Sequence, residues 1–157
     1  ADKDKPDENS EETKDKSSVE SVSDLQPCVI PTLFGHSGDY IYIHGSSVSR
    51  MIRTLTYSSR VPLCITIALF ESFVLAKAAF HHSANYKSVV IYGTGQLIKD
   101  KKEKLEALTL ISEHILPNRW DATRLPTDAE LLQTSVIKIK MENVSGKQRN
   151  GPPGDDK

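Results

Sequence analysis

Tyr40-Ile-Tyr-Ile-His-Gly-Ser-Ser-Val-Ser-Arg50 is the stretch on which the reading of the fold turns. Tyr40 to His44 is a run of aromatic and β-branched residues of the kind that forms strands. Gly45-Ser46-Ser47 interrupts it, and from Val48 the spacing becomes helical, with Val48, Met51, Ile52 and Leu55 on one face and Arg50 and Arg53 on another. A strand, a short loop and a helix therefore follow in quick succession. The helix start carries the hydroxyls of Ser46, Ser47 and Ser49 together with Arg50. Free N–H groups and the positive end of the helix dipole attract an anion at such a place, and an arginine binds phosphate in bidentate fashion. At ~1.5–3 kcal/mol for a charge-assisted hydrogen bond, against ~0.3–1 kcal/mol for the dipole, Arg50 is the dominant group. A serine N-cap with no ligand explains the same residues, and both readings stand at this point.

Working outward, the chain upstream and downstream reads as strands. Pro27-Cys-Val-Ile-Pro-Thr-Leu-Phe34 is a first strand, with prolines suited to an end or edge, and His36–Asp39 turns it back into the Tyr40 strand as a hairpin. Val61–Leu69 and Phe73–Ala79 are two apolar strands joined around Glu71-Ser72, and Ser88–Ile98 is another, with Gly93 and Gly95 marking a bulge. Asp100 caps a helix that carries Leu105, Leu108, Ile111 and Ile115 and ends before Pro117. Thr127-Asp-Ala-Glu130 is a capping box for a short helix, and Ser135–Glu142 alternates as a half-exposed strand. Short strands in close sequence with a few inserted helices argue for an antiparallel barrel with helical additions, and against a doubly wound sheet.

Residues 1–24 stand apart. They hold nine carboxylates against four lysines and almost no aliphatic side chains, so they are expected to be disordered. Setting them aside leaves sixteen basic and twelve acidic side chains, a net +4 against −1 for the whole chain. That mild excess suits an anionic small molecule and falls short of a nucleic-acid footprint. Cys28 and Cys64 lie far apart with no CxxC spacing and read as reduced thiols. No apolar run reaches the ~20 residues that span a bilayer, so a cytoplasmic protein with no membrane partner is expected. The expected organisation is an acidic segment at 1–24, one domain at 25–145 and an irregular tail at 146–157.

Three strings in order resemble the flavin-mononucleotide-binding split-barrel proteins related to pyridoxamine 5'-phosphate oxidase: Pro27–Phe34, Tyr40–Arg50 and Phe80-His-His-Ser-Ala-Asn-Tyr-Lys-Ser-Val-Val-Ile-Tyr-Gly93. The likeness continues through Pro117–Trp120, Arg124, Pro126-Thr127 and Glu130-Leu131 to Lys147, Arg149 and Gly151-Pro-Pro153. The resemblance implies a mainly β fold, an antiparallel, Greek-key-like split barrel of six strands, here without its first strand. It implies a homodimer with FMN in a groove between subunits. On this likeness Val29, Ile30, Pro31 and Thr32 run along the flavin ring, Gly45, Ser46, Ser47, Ser49 and Arg50 grip its phosphate, and Ser88 touches it again, with His82 and Asn85 as weaker candidates. The implied activity is that of an FMN-dependent oxidoreductase acting on a small molecule, phosphorylated or not. The alternative is a flavin-binding module without turnover.

No proton-transfer residue stands out. His81 and His82 are adjacent, so on a strand they point to opposite faces and cannot share a metal; the expected pattern is one packed and one exposed. His44 is placed to hydrogen-bond locally, while His36 and His114 read as surface positions. No metal-ligand spacing occurs, and no metal is expected. Trp120, the sole tryptophan, is expected in the core, with a cover over the flavin as the alternative. The true oxidases carry a C-terminal arginine–histidine pattern; here no histidine follows Lys147 and Arg149, and the substrate is left open.

Overall fold

The computed structural model describes residues 27–57 and 61–155; the acidic segment lies outside them. Five antiparallel strands form one sheet in the order β1-β2-β5-β4-β3: β1 (Phe34–Ser37), β2 (Tyr40–Ser46), β3 (Val61–Val74), β4 (Ser83–Leu97) and β5 (Thr134–Arg149). Three helices accompany it: α1 (Arg50–Tyr57), α2 (Lys101–Ile115) and α3 (Asp128–Gln133). The fold is the mainly β one expected, and the sheet is open, with β1 and β3 as its edges and no closure into a barrel among the described residues.

The first hairpin differs from expectation. Residues 27–33 form no strand, and the hairpin is Phe34–Ser37 against Tyr40–Ile43, closed by Gly38-Asp39 with Gly38 at φ +54°. A two-residue loop with a positive φ at its first position matches the strand twist, which moves the turn later than His36. Pro27 and Pro31 lack N–H donors, so the stretch before Phe34 has a broken donor row to offer a neighbour. A second difference is β3, a single strand where two were expected. Glu71 is accommodated by a register shift between Phe70 and Ser72 and pairs with Lys87 at 2.7 Å. Strand β4 begins five residues earlier than Ser88 because residues 83–85 pair with residues 72–74 of β3, and β5 runs on through Gly146 to Arg149 because residues 145–149 pair with residues 86–90. Residues 146–149 are thus ladder, not tail.

The core has two layers because the middle of the sheet is covered on both sides. Ile41, Ile43, Ile91, Ile137 and Ile139 pack against Ile52 and Leu55 of α1. On the opposite face Tyr42, Ile98 and Val136 pack against Ala107 and Ile111 of α2. Complete burial of an isoleucine contributes about 1.5–3 kcal/mol, so the five largest fully buried side chains among the described residues, Ile41, Ile52, Ile137, Ile139 and Val136, concentrate stability where β2 meets β5. Asp100 caps α2 by accepting from Glu103 N–H, and Thr127 and Glu130 form the expected capping box on α3.

The distal half of the β3–β4–β5 region is different. Leu69, Phe70, Phe73, Leu75 and Val144 are all exposed, and Phe80, on the 3₁₀ turn Ala79–His81, is 93% exposed.

Candidate functional site

The strand–helix corner is built by three local features. Gly45 lets α1 close onto β2, since a Cβ there would come within 3.0 Å of Ile52 Cγ1. Ser47 N–H donates to Gln133 O at 2.9 Å, which ties the loop to the end of α3. Ser49 caps α1, its Oγ accepting from Ile52 N–H at 3.2 Å. The N-cap reading therefore holds for Ser49, but it does not exhaust the corner. The amides of Arg50 and Met51 donate to no group among the described residues, as helix geometry dictates for a first turn. Ser46 Oγ receives only a long contact from Val48 N–H at 3.4 Å. Arg50 is exposed and enters no ion pair among the described residues. Two open amides, three hydroxyls and an unpaired guanidinium fit the phosphate end of a nucleotide.

His44, the residue before this corner, does not make the local hydrogen bond expected of it. Its Nδ1 is buried without a partner, and burial pushes its imidazole pKa below the ordinary value, which favours the neutral ring. His36 and His114 are exposed as expected, His114 lying 4.6 Å from the Phe34 ring. His81 and His82 sit at a 3₁₀ turn and not on a strand, with His82 Nε2 3.1 Å from Ala76 O. Trp120 is half-buried on the turn Trp120–Ala122 and belongs to neither core layer; its N–H joins that of Asn118 in capping the Glu113 carboxylate. Those backbone donors hold Glu113 below the usual carboxylate range. Among the described residues no three His, Cys, Asp or Glu side chains come together.

The remaining expected residues fall in two places. Val29, Ile30, Pro31 and Thr32 are exposed and lead up to Phe34, which pairs with Ile43 near the corner end of β2. Ser88 is elsewhere. Ser46 is opposite Thr134 on β5, whereas Ser88 is opposite Lys147, thirteen residues further along the same strand. At ~3.3 Å per residue that is roughly 40 Å, more than one flavin nucleotide spans. Around Ser88 the register gathers residues that periodicity alone did not single out as a cluster: Tyr86 is opposite Arg149, and Asn85 Oδ1 accepts from Arg149 Nη1 at 2.9 Å and from Gly151 N–H at 3.1 Å. The signal that could have found them is the alternation of Tyr86 with Ser88 and of Lys147 with Arg149, once β5 was known to reach that far.

A family model described as pyridoxamine 5'-phosphate oxidase matches residues 19–148. The chain belongs to that family. Among solved structures it resembles the flavocytochrome Anf3 of Azotobacter vinelandii, with 34% identity, a TM-score of 0.74, and coverage of 83% of this chain and 60% of that one. It also resembles the FAD and heme binding protein of Mycobacterium smegmatis, with 29% identity, a TM-score of 0.78, and coverage of 85% and 64%. The chain thus spans less than two thirds of each of these proteins. No curated protein matches it. No helix among the described residues is long and apolar enough to cross a membrane.

Proposed function

We propose that this chain binds flavin mononucleotide between two copies of itself and acts as an oxidoreductase on a small molecule, phosphorylated or not. The observation that carries the reading is the separation of the two groups of flavin-facing residues along β5. One chain offers the corner Gly45–Arg50 at one end and Ser88 at the other, roughly 40 Å apart; a second copy can bring its Ser88 end to the first copy's corner. The exposed Leu69, Phe70, Phe73 and Val144 support the same reading, since a monomer rarely leaves so many large apolar side chains open together.

In this arrangement Arg50, the first-turn amides of α1 and the hydroxyls of Ser46 and Ser49 hold the phosphate, and residues 29–32 border the ring. A bound flavin supplies the electron transfer, and the protein's part is to orient it and admit a substrate to one face. Neutral His44, next to the corner, adds no charge to it.

The test compares flavin mononucleotide with riboflavin, which lacks the phosphate. Arg50→Ala removes about 1.5–3 kcal/mol of charge-assisted bonding and is expected to weaken FMN binding roughly 10–100-fold while leaving riboflavin affinity unchanged. Equal affinity of wild type and Arg50→Ala for FMN removes the clamp. Bleaching of the bound flavin's visible absorption by candidate substrates then separates an oxidoreductase from a flavin-holding module without turnover.

A further inference from the structure

Tyr86, Ser88, Lys147 and Arg149 occupy one face of the β4–β5 ladder, because opposed residues share a face and alternate residues of one strand return to it. Lys147 Nζ lies 5.8 Å from the centre of the Tyr86 ring, within cation–π range. Arg149 is half-buried, and its Nη1 donates to Asn85 Oδ1 at 2.9 Å and, at 3.4 Å, to Ala84 O. The same Asn85 oxygen takes Gly151 N–H, and Asn85 Nδ2 reaches Ser72 Oγ at 3.4 Å. Neither Lys147 nor Arg149 has a carboxylate partner among the described residues. Glu71 is engaged by Lys87, and Asp155 accepts from Lys77 N–H.

The identity of residue 85 matters for this electrostatic arrangement. An aspartate there would hold the guanidinium equally well but neutralise it. The neutral carboxamide fixes Arg149 in place and leaves its charge available. Two cations with no carboxylate partner among the described residues, beside a phenol and a hydroxyl that can donate, form a site for an anion.

We propose that this face is a second anion-binding site, taking a phosphate or carboxylate group on Lys147 and Arg149, and that Asn85 is the residue that positions Arg149 within it. The site stands apart from the α1 corner of the same chain and does not rest on the FMN clamp. Inorganic phosphate is the probe, titrated into the full chain while the side-chain N–H resonances of Arg149 and the Gly151 amide are followed by NMR. A saturable shift of both is expected. Arg149→Ala should weaken phosphate binding at least about fivefold, the size of a ~1 kcal/mol contact, and Asn85→Ala should do nearly the same. In an Arg149→Ala background, Asn85→Ala should add nothing, since its effect travels through the guanidinium.

Absence of a saturable shift, or an equal loss from Asn85→Ala whether or not Arg149 is present, overturns the proposal. Should a variant unfold, Lys147→Ala on the exposed lysine carries the same test of the site. The source of the anion follows from competition. Displacement of phosphate by FMN but not by riboflavin identifies a flavin phosphate brought by another copy, and no displacement identifies a separate anion; either result supports the site, while Arg50→Ala reports separately on the corner.

Discussion

The two halves of β5 differ sharply although one strand runs through both. From Thr134 to Lys140 it pairs with β2, and from Ile137 also with β4, with Val136, Ile137 and Ile139 fully buried. From Glu142 to Arg149 it pairs with β4 alone, and its apolar residue, Val144, is 56% exposed. The change comes where the ladder slips between Tyr92 and Gly93. The first half is stabilised by the chain's own helices. The second has a single β-branched residue, Val144, and no cover, and its face carries Tyr86, Ser88, Lys147 and Arg149. Burial along β5 thus follows both the strand's alternating apolar residues and the helices that cross the sheet to cover them.

The largest expected effect breaks the comparison at its packed end. Ile139→Ala should cost about 2–5 kcal/mol by removing a fully buried side chain, while Val144→Ala should change the stability of the free chain by less than about 0.5 kcal/mol; urea denaturation of both variants measures the difference. A similar loss from both would mean that the distal half is as well covered as the core. Gly93→Ala tests the boundary itself. A Cβ at 93 would lie 2.0 Å from Lys140 O, so the ladder must move, at about 1–3 kcal/mol, read as a lowered thermal midpoint. Phe73→Asp places a charge on the distal surface, where the side chain is 76% exposed. It should leave the fold intact and convert the proposed dimer to monomer in analytical ultracentrifugation; an unchanged sedimentation coefficient would detach that surface from self-association.

The smallest effect concerns α3, on the packed side. Arg124 bonds, and then Thr127, hold the Glu130 carboxyl at about 2, below its ordinary 4.5. A depressed carboxylate contributes stability that is complete above the unfolded value and is lost as pH falls through the folded one. The capping box should therefore loosen between about pH 4.5 and 2, and Glu130→Gln should flatten the pH dependence of stability across that window. The pair is exposed, so the change is modest.

Local chemistry made several pieces of the fold and site legible. The strand signal at Tyr40–His44, the serine N-cap at the corner and the caps at Asp100 and Thr127 rest on patterns within a few residues and stand where those patterns put them, with α1 starting at Arg50 where the spacing turned helical at Val48. Residues 27–33 misled because Val29 and Ile30 look like strand but, with prolines at 27 and 31, have no neighbour to pair with. Glu71-Ser72 misled in the other direction: two polar residues suggested a break, and a bulge with a lysine across it absorbed them. Trp120 was expected inside on size alone, and a surface turn holds it half-exposed.

The sequence by itself determined the Tyr40 strand, the helix starts at Asp100 and Thr127, and the corner that offers free donors to an anion, because periodicity, capping and helix-end geometry are set by near neighbours. Only the tertiary structure decided that Ser88 and Arg50 stand at opposite ends of one strand and that Asn85, Arg149 and Gly151 meet. Those relations come from register between segments more than sixty residues apart, as the pairing of Tyr86 with Arg149 exemplifies, and a hydrogen-bonded ladder fixes register through the packing of the whole sheet.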